Sequence, residues 1–141
     1  MAAFYRGISF APGGAPDWAS VTALFLPGAR MTLPRMPGVE GVCSMEVDGW
    51  GERFRDDIGR TRIVAFEERE LASRGFEFGD VAHLFSVFES RIATAAATQV
   101  LRGVYSVQLI RSDGRWLIAG MVWDFAGDTR PLPAELLGGA P

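Results

Sequence analysis

The sequence predicts an α+β fold in which helices cover one face of a strongly curved antiparallel sheet. Two observations carry this prediction. Apolar residues recur at helical spacing in three segments of the first half, and alternating, strand-like segments joined by turn signals fill residues 62–125. Helices that come first and long strands that come after are typical of α+β domains, not of alternating α/β domains.

The last hairpin, over residues 101–125, is the most strongly marked element. Its strands, 101–112 and 115–125, flank Asp113 and Gly114, and Asp-Gly between two such runs favours a tight hairpin turn. Neither face of either strand is plainly polar. We therefore expect both faces to be covered, one by the core of the domain and one by another layer or subunit.

Two more long strands are expected before this hairpin, over residues 62–73 and 81–92, with a turn over 76–80. Together the four segments should form consecutive antiparallel strands. The charged run over 67–70 is interpreted as a solvated part of an edge strand, because charges there deter pairing with other chains.

The first half should supply three helices and two short extended pieces. The helices are expected over residues 2–10, after the N-cap candidate Asp17, and after Asp48. The extended pieces are expected over 29–33 and 41–47.

Composition limits the class of protein. The chain of 141 residues is 48% hydrophobic and 22% charged with a net charge of −3, as expected for a single globular domain. We place the domain at 1–125 and a tail rich in Pro and Gly at 126–141. No basic run indicates nucleic acid, and no long apolar segment indicates a membrane. The single Cys43 predicts neither a disulfide nor a metal cluster, so we expect a cytoplasmic protein without metal or cofactor.

Three stretches, in this order, carry a resemblance to a known family. They read DWASVTALFLPGARMTLP, GDVAHLFSVFESR and RGVYSVQLIRSDGRWLIAGMVWD, and together they span most of residues 17–124. The order and the closing hairpin resemble the nuclear transport factor 2-like superfamily and, within it, the SnoaL-like proteins. The resemblance implies a cystatin-like cone, in which the curved sheet wraps around three helices and holds an apolar pocket.

Relatives in this superfamily include ketosteroid isomerases, epoxide hydrolases, polyketide cyclases and dehydratases, so the fold alone does not determine the activity. By resemblance, the base of the isomerases falls on Leu33 and their oxyanion-binding acid on Ser106. The resemblance places their tyrosine at Tyr5, and the tryptophan near the end of the last strand corresponds to Trp123. Leucine accepts no proton, so the resemblance implies a pocket without the isomerase machinery, and the catalytic residues are unknown.

Strand parity predicts which residues line this pocket. Ser106 and Gln108 are two apart on one strand, as are Met121 and Trp123 on the next, and a hairpin centred on the Asp-Gly turn would bring the two pairs together. Tyr5 or Phe4 is expected near the mouth. The implied ligand is an apolar, ring-containing molecule whose oxygens meet Gln108 and Ser106. Alternatively, Gln108 bonds a neighbouring group and only fixes the core.

Three functions are compatible with this pattern. The first is a small-molecule binding domain of unknown specificity. The second is a hydrolase, cyclase or dehydratase acting on a small lipophilic substrate through His83, Asp124 or Glu46. The third is an interaction protein with a filled cone.

A homodimer is expected through the outer face of the sheet. The apolar side chains assigned to that face are those of Tyr105, Val107, Leu109, Ile118 and Val122. They would leave too much apolar area in water, and a two-fold pairing of identical faces would bury it.

Overall fold

A computed structural model describes residues 1–35 and 39–137. The elements, in chain order, are α1 (Ala2–Ile8), α2 (Trp18–Thr22), β1 (Phe25–Leu33), β2 (Cys43–Glu46), α3 (Val47–Thr61), β3 (Ile63–Phe78), β4 (Val81–Thr94), β5 (Thr98–Ser112), β6 (Arg115–Phe125) and a 3₁₀ helix (Ala134–Leu137). Three α-helices and a curved sheet confirm the predicted α+β cone.

The six strands form one sheet in the order β2-β1-β6-β5-β4-β3. The strands from β3 to β6 are consecutive and antiparallel, as predicted. One pairing within the sheet is not antiparallel, because β1 pairs with β6 in parallel. This pairing is possible because the long run from α3 to β5 separates the two strands in sequence.

The Asp-Gly turn of the last hairpin forms as predicted. Asp113 has φ 50° and Gly114 has φ 72°, and Ser112 pairs with Arg115 across the turn. Two consecutive residues with positive φ are characteristic of the type I′ turn, whose twist matches that of the strands it joins.

The helices pack on the concave face of the sheet and form the core with it. Asp17 caps α2 by accepting a hydrogen bond from the backbone N–H of Ser20 at 3.1 Å. The α3 helix is held to the sheet by Trp50, whose Nε1 donates to the carbonyl of Met31 at 2.6 Å. These contacts place α3 over β1 and leave space between the helix and the far strands.

Several boundaries differ from the sequence-based expectation. β3 continues through the region expected as a turn and ends at Phe78, so the turn is confined to Gly79 and Asp80. β1 begins at Phe25, ahead of Pro27, because α2 ends after little more than one turn. Asp48 lies in the first turn of α3 and the capping position falls on Glu46.

The tail makes a defined contact with the sheet. The 3₁₀ helix contacts β3 and β4, with Leu132 and Leu136 half-buried and Leu137 exposed. Val87 of β4 is fully buried although its pairing with Val104 puts it on the convex face, outside the main core cluster. We infer that the tail covers Val87. Residues 138–141 lie outside the described part of the chain.

Candidate functional site

A cavity of about 620 Å³ lies between α3, α1 and the concave face of the sheet. Its wall is mainly apolar and aromatic, with side chains from all three α-helices and from five strands. Members of the wall include Phe4, Ile8, Leu33, Trp50, Phe54, Phe66, Ile92, Trp123 and Phe125. A cavity of this size and lining is typical of small-molecule sites.

Charged side chains also border the cavity, and they belong to α3 and to the end of β1. Asp57 forms ion pairs with two arginines of the same helix. One is with Arg53, at 3.2 Å, and the other is with Arg60, one turn away. Arg35, largely exposed, lies 3.7 Å from Asp124. Each of these arginines therefore has an aspartate as a partner, and Arg53 and Arg60 share Asp57.

A buried carboxyl group lies in the wall of this cavity, that of Glu68 on β3. Glu68 is only 6% exposed to solvent. The Tyr105 hydroxyl of β5 donates to Glu68 Oε1 at 2.7 Å, and the Ser90 hydroxyl of β4 donates to Oε2. The backbone of Glu68 is fixed as well, because its N–H donates to Ser9 Oγ at 2.9 Å. Three neighbouring strands thus hold one carboxyl group in a defined orientation.

Burial sets the ionisation of this group. Loss of solvation raises the pKa of the Glu68 carboxyl above its ordinary value, although the hydrogen bonds from Ser90 and Tyr105 act in the opposite direction. Burial also raises the pKa of the Tyr105 phenol, and the adjacent carboxylate raises it further. Tyr105 therefore stays neutral and remains a hydrogen-bond donor. A carboxyl with a raised pKa in an apolar cavity is a recognised signature of acid–base sites.

A second buried polar cluster lies beside the first but does not border the cavity. Tyr5 of α1 shares a hydrogen bond of 2.7 Å with Ser86 Oγ, and Ser86 in turn donates to Glu70. Burial raises the pKa of the Tyr5 phenol. Tyr5 was expected near the pocket mouth. Its hydroxyl is instead engaged with the sheet, and its neighbour Phe4 contributes to the cavity wall.

The structure separates the four strand residues predicted to share one cavity. Trp123 borders the cavity, and Met121 is buried in the core beneath the sheet. Ser106 and Gln108 lie on the convex face, where Gln108 is exposed. The prediction that Ser106 and Gln108 face the cavity is therefore wrong. On β5, Tyr105 and Val107 face the interior and pair with Trp123 and Met121 of β6.

A β-bulge explains this error. Leu109 pairs with Ile118, but the next pair along is Gln108 with Gly120, so Ala119 is an extra residue on β6. An extra residue shifts the alternation of faces by one position for the rest of the strand. Counting from the turn without a bulge puts Met121 opposite Ser106. With the bulge, Met121 lies opposite Val107.

The same shift corrects the predicted composition of the convex face. Tyr105, Val107 and Ile118 are buried in the core, Leu109 packs against it, and only Val122 of the expected set is exposed on the outside. The side chains of β5 alternate between two faces as predicted. The face of Tyr105 and Val107, expected on the outside of the sheet, is the concave one, and the face of Ser106 and Gln108 is the convex one.

The other candidates for catalysis lie away from the cavity wall. His83 is half-buried on the convex face, and its Nε2 lies 3.0 Å from Ser106 Oγ. Asp124 is engaged with Arg130 at 3.2 Å, and Glu46 is exposed. Cys43 is buried in the core. Leu33, at the position of the isomerase base, does border the cavity but carries no proton acceptor.

Sequence reasoning missed Glu68, which was interpreted as part of a solvated charge run. β3 is indeed an edge strand, and Glu67 and Arg69 are exposed. The signal that was available is parity, since Glu68 is two residues after the buried Phe66 and so shares its inward face.

Among the described residues no group of His, Cys, Asp and Glu is arranged to hold a metal ion. No helix within the described ranges is long and apolar enough to cross a membrane.

Comparison with known proteins gives matches among solved structures. No family model matches the chain, and no curated protein matches it. A candidate aromatic ring hydroxylase from Novosphingobium aromaticivorans superimposes with a TM-score of 0.67 at 15% identity, over 89% of this chain and 82% of that one. A candidate scytalone dehydratase from the same organism has a TM-score of 0.61 at 15% identity, over 78% and 71%.

The beta subunit of the benzoate 1,2-dioxygenase from Burkholderia mallei matches with a TM-score of 0.62 at 12% identity, over 80% of each chain. Identities this low show the fold alone. The chain has the cone fold of nuclear transport factor 2-like and SnoaL-like proteins, as the sequence resemblance implied.

Proposed function

We propose that this protein binds a small, apolar, ring-containing molecule in the cavity between α3 and the concave face of the sheet. The observation that carries the proposal is the cavity itself, because about 620 Å³ of space lined by aromatic and aliphatic side chains persists inside an otherwise packed cone. Protein interiors ordinarily close around such space, so a large apolar cavity is favoured where a ligand fills it. A filled cone, as the interaction hypothesis requires, is not what the described residues form.

The walls indicate the chemistry of the ligand. Trp50 and Trp123 contact each other edge to face with ring centroids 4.8 Å apart, and both border the cavity. Such rings favour a flat aromatic or polycyclic partner. Glu68 and Tyr105 supply a polar point on the sheet side of the cavity, where an oxygen of the ligand would be bound, and Tyr105 lies beside Trp123 with ring centroids 5.9 Å apart. This pair takes the role that sequence analysis gave to Ser106 and Gln108.

The test is a titration with 4-bromophenol followed by calorimetry, using a matched pair of variants. Ile92 borders the cavity, whereas Ile110 is a half-buried isoleucine on β5 that borders no described cavity. Ile92→Trp should fill the space and weaken binding at least about tenfold, equivalent to about 1.4 kcal/mol. Ile110→Trp should leave the affinity within about twofold. Equal affinities in both variants, or no binding to the unaltered protein, would refute the proposal.

An enzyme of the hydrolase, cyclase or dehydratase class is the second candidate function. The observation that favours it is Glu68, a carboxyl group buried in the cavity wall. The likeness in fold to a candidate scytalone dehydratase and to an oxygenase subunit adds support of a general kind. Neither Asp124 nor Glu46 borders the cavity, so Glu68 replaces them as the carboxylate of this hypothesis.

We also propose that the protein forms a homodimer through the convex face, in the cytoplasm as composition suggests. The residues that support a dimer are not those first expected. They form a convex-face patch made of Phe76, Phe78, Val81, Phe85 and Val122. Phe76 and Phe78 are 74% and 86% exposed, which is unusual for phenylalanine in a monomer. A two-fold pairing would bring two such patches together.

A further inference from the structure

A second, smaller cavity of about 310 Å³ lies at the other end of the concave face, where the hairpins β3–β4 and β5–β6 turn. The carboxylate at its edge, that of Glu77, is paired with Arg111 at 3.1 Å. The rest of its wall is mainly apolar and includes Ala3, Phe4, Leu84, Leu109, Trp116 and Ile118. The cone therefore has apolar space at both ends of its sheet.

A fully buried layer separates the two cavities on the sheet side. On β5, Leu109 borders the smaller cavity and Tyr105 borders the larger one. Val107 lies between them on the same face and is 0% exposed. On β6, Met121 pairs with Val107 and is 1% exposed. Since Leu109 and Tyr105 are about 13 Å apart along the strand, the layer is about one side chain thick.

Phe4 of α1 completes this layer from the helix side. It borders both cavities, and no other described residue borders both. Its side chain is almost fully buried, and its ring packs edge to face against the rings of Tyr105 and Phe25, with centroids 5.6 Å and 6.2 Å away. A ring enclosed in this way cannot swing aside without displacing its neighbours. Phe4 is therefore a fixed partition.

We propose that Phe4 is a specificity-determining residue, which closes the larger cavity toward the smaller one and so favours compact ring-containing ligands over ligands with a long alkyl chain. The proposal rests on the binding function proposed above. Without the ring of Phe4 the two spaces would be continuous, and an alkyl chain could extend past Val107 to Leu84 and Trp116. Each methylene that leaves water for this apolar space adds about fourfold in affinity. The ring of Phe4 denies the ligand that gain.

The experiment compares 4-propylphenol with 4-nonylphenol. Displacement of 4-bromophenol, followed by calorimetry, measures the affinity of each, and the quantity of interest is the ratio of the nonyl to the propyl affinity within one variant. A variant that merely loosens the structure weakens both probes and leaves this ratio unchanged. Phe4→Ala should raise the ratio at least about tenfold over the unaltered protein, since two further buried methylenes add roughly fifteenfold.

The matched control is Ile8→Ala, one turn further along α1. Ile8 is also buried, but it borders only the larger cavity. Its truncation enlarges that cavity without opening a path to the smaller one, so the ratio should stay within about twofold. Equal ratios in Phe4→Ala and Ile8→Ala would overturn the role of Phe4.

A milder variant keeps the test decisive if Phe4→Ala does not fold. Phe4→Leu retains an apolar side chain and should raise the ratio at least about fourfold, the gain from one further methylene. An unchanged ratio in a folded Phe4→Leu protein would overturn the role of Phe4 as well.

A blocking substitution tests the path of the alkyl chain. Ala82 borders only the smaller cavity, so Ala82→Trp added to Phe4→Ala should return the ratio to that of the unaltered protein. A ratio that stays high would show that the chain does not enter the smaller cavity.

The binding of 4-bromophenol itself separates this proposal from the one on which it rests. Binding to the unaltered protein together with equal ratios in all variants would overturn the role of Phe4 and leave the binding function standing. Absence of 4-bromophenol binding in the unaltered protein would overturn both.

Discussion

At the scale of single residues, the buried carboxyl of Glu68 makes stability depend on pH. Its pKa is raised in the folded protein by burial, so the folded state holds the proton more tightly than the unfolded chain does. The stabilisation is therefore complete at pH values below the unfolded pKa. It is lost as pH rises through the raised pKa of the folded state.

We predict that Glu68→Gln removes this dependence. Glutamine keeps a carbonyl oxygen for Tyr105 and an amide for Ser90 but cannot ionise. Above the folded pKa, the variant should be more stable than the unaltered protein by about 1–3 kcal/mol, the usual cost of an uncompensated buried polar group. Urea unfolding at a series of pH values from pH 4 to pH 8 measures this difference. A difference that stays constant with pH would show that Glu68 ionises as freely in the folded protein as in the unfolded chain.

Glu89 illustrates the opposite case on the convex face. Hydrogen bonds from Arg69 and Arg102, at 2.9 Å each, hold the pKa of its carboxyl below the ordinary value. The stabilisation from Glu89 is present above the ordinary pKa and is lost as pH falls through the lowered one. The neighbouring strands β3 and β4 thus carry one glutamate with a raised pKa, Glu68, and one with a lowered pKa, Glu89. Of these two, only Glu68 borders the cavity.

At the scale of elements, two glycines of α3 predict opposite effects of the same substitution. A Cβ at Gly51 would lie 2.0 Å from Nε1 of Trp18, whose indole packs against the helix there. A Cβ at Gly59 would meet nothing within 4 Å. Glycine is therefore needed at position 51, because the indole of Trp18 packs directly against the helix backbone there. At position 59 glycine only makes the helix less stable than alanine would.

We predict that Gly51→Ala destabilises the protein by about 1–3 kcal/mol, because the indole of Trp18 must move. Gly59→Ala should stabilise it by roughly 0.5–1 kcal/mol, since alanine restricts the unfolded chain and favours helix. Chemical unfolding of the two variants at one pH measures both effects. Similar changes of the same sign would mean that Trp18 does not pack against Gly51 in solution.

The elements also show what the sequence could predict. The strands β3 to β6 and the turn at Asp113 and Gly114 could be predicted from local signals. Alternation of apolar side chains and the residue preferences of tight turns are both visible within a few consecutive residues. The bulge at Ala119 has only a weak signal, the isolated Gly120 beside it, because glycine within a strand marks a bulge in some strands and a close backbone approach in others. One unrecognised residue was enough to misassign Ser106 and Gln108.

The candidate site was harder to predict for a related reason. Glu68 lies two residues after the apolar Phe66, and this spacing places both side chains on the same face of the strand. Its charged neighbours, however, favour the interpretation of residues 67–70 as a solvated run. Its partners Ser90 and Tyr105 come from two later strands. Only the pairing of β3 with β4 and of β4 with β5 brings them together, and no short stretch of sequence contains that register.

At the scale of the whole molecule, the convex-face patch predicts the assembly. Phe76→Asp should turn a homodimer into a monomer, because it places a charge in the apolar area that the dimer would bury. Val42→Asp is the matched control, since Val42 is also exposed but precedes β2 at the opposite edge of the sheet. Sedimentation at tens of micromolar, roughly where a standard interface holds, measures the mass.

The expected result is a dimer for the unaltered protein and for Val42→Asp. A monomeric unaltered protein would refute the dimer. A dimer that survives Phe76→Asp would place the interface elsewhere than on the convex-face patch.

The cavity is lined mainly by apolar side chains and has a polar point at the carboxyl group of Glu68. The aromatic rings of α3 and β6 adjoin the Glu68–Tyr105 pair on β3 and β5, with Tyr105 next to Trp123 on the neighbouring strand, and charged side chains of α3 border the space. A bound phenol should accordingly place its ring against Trp50 and Trp123 and its oxygen near Glu68.

A crystal structure of the protein with 4-bromophenol tests ligand binding most directly, because anomalous scattering locates the bromine without reference to the protein. The predicted result is a bromine inside the cavity, among Leu33, Phe54 and Trp123, with the phenol oxygen within hydrogen-bond distance of Glu68 or Tyr105. Bromine found only on the convex-face patch, with the cavity closed or empty at a concentration that saturates the calorimetric titration, would contradict it.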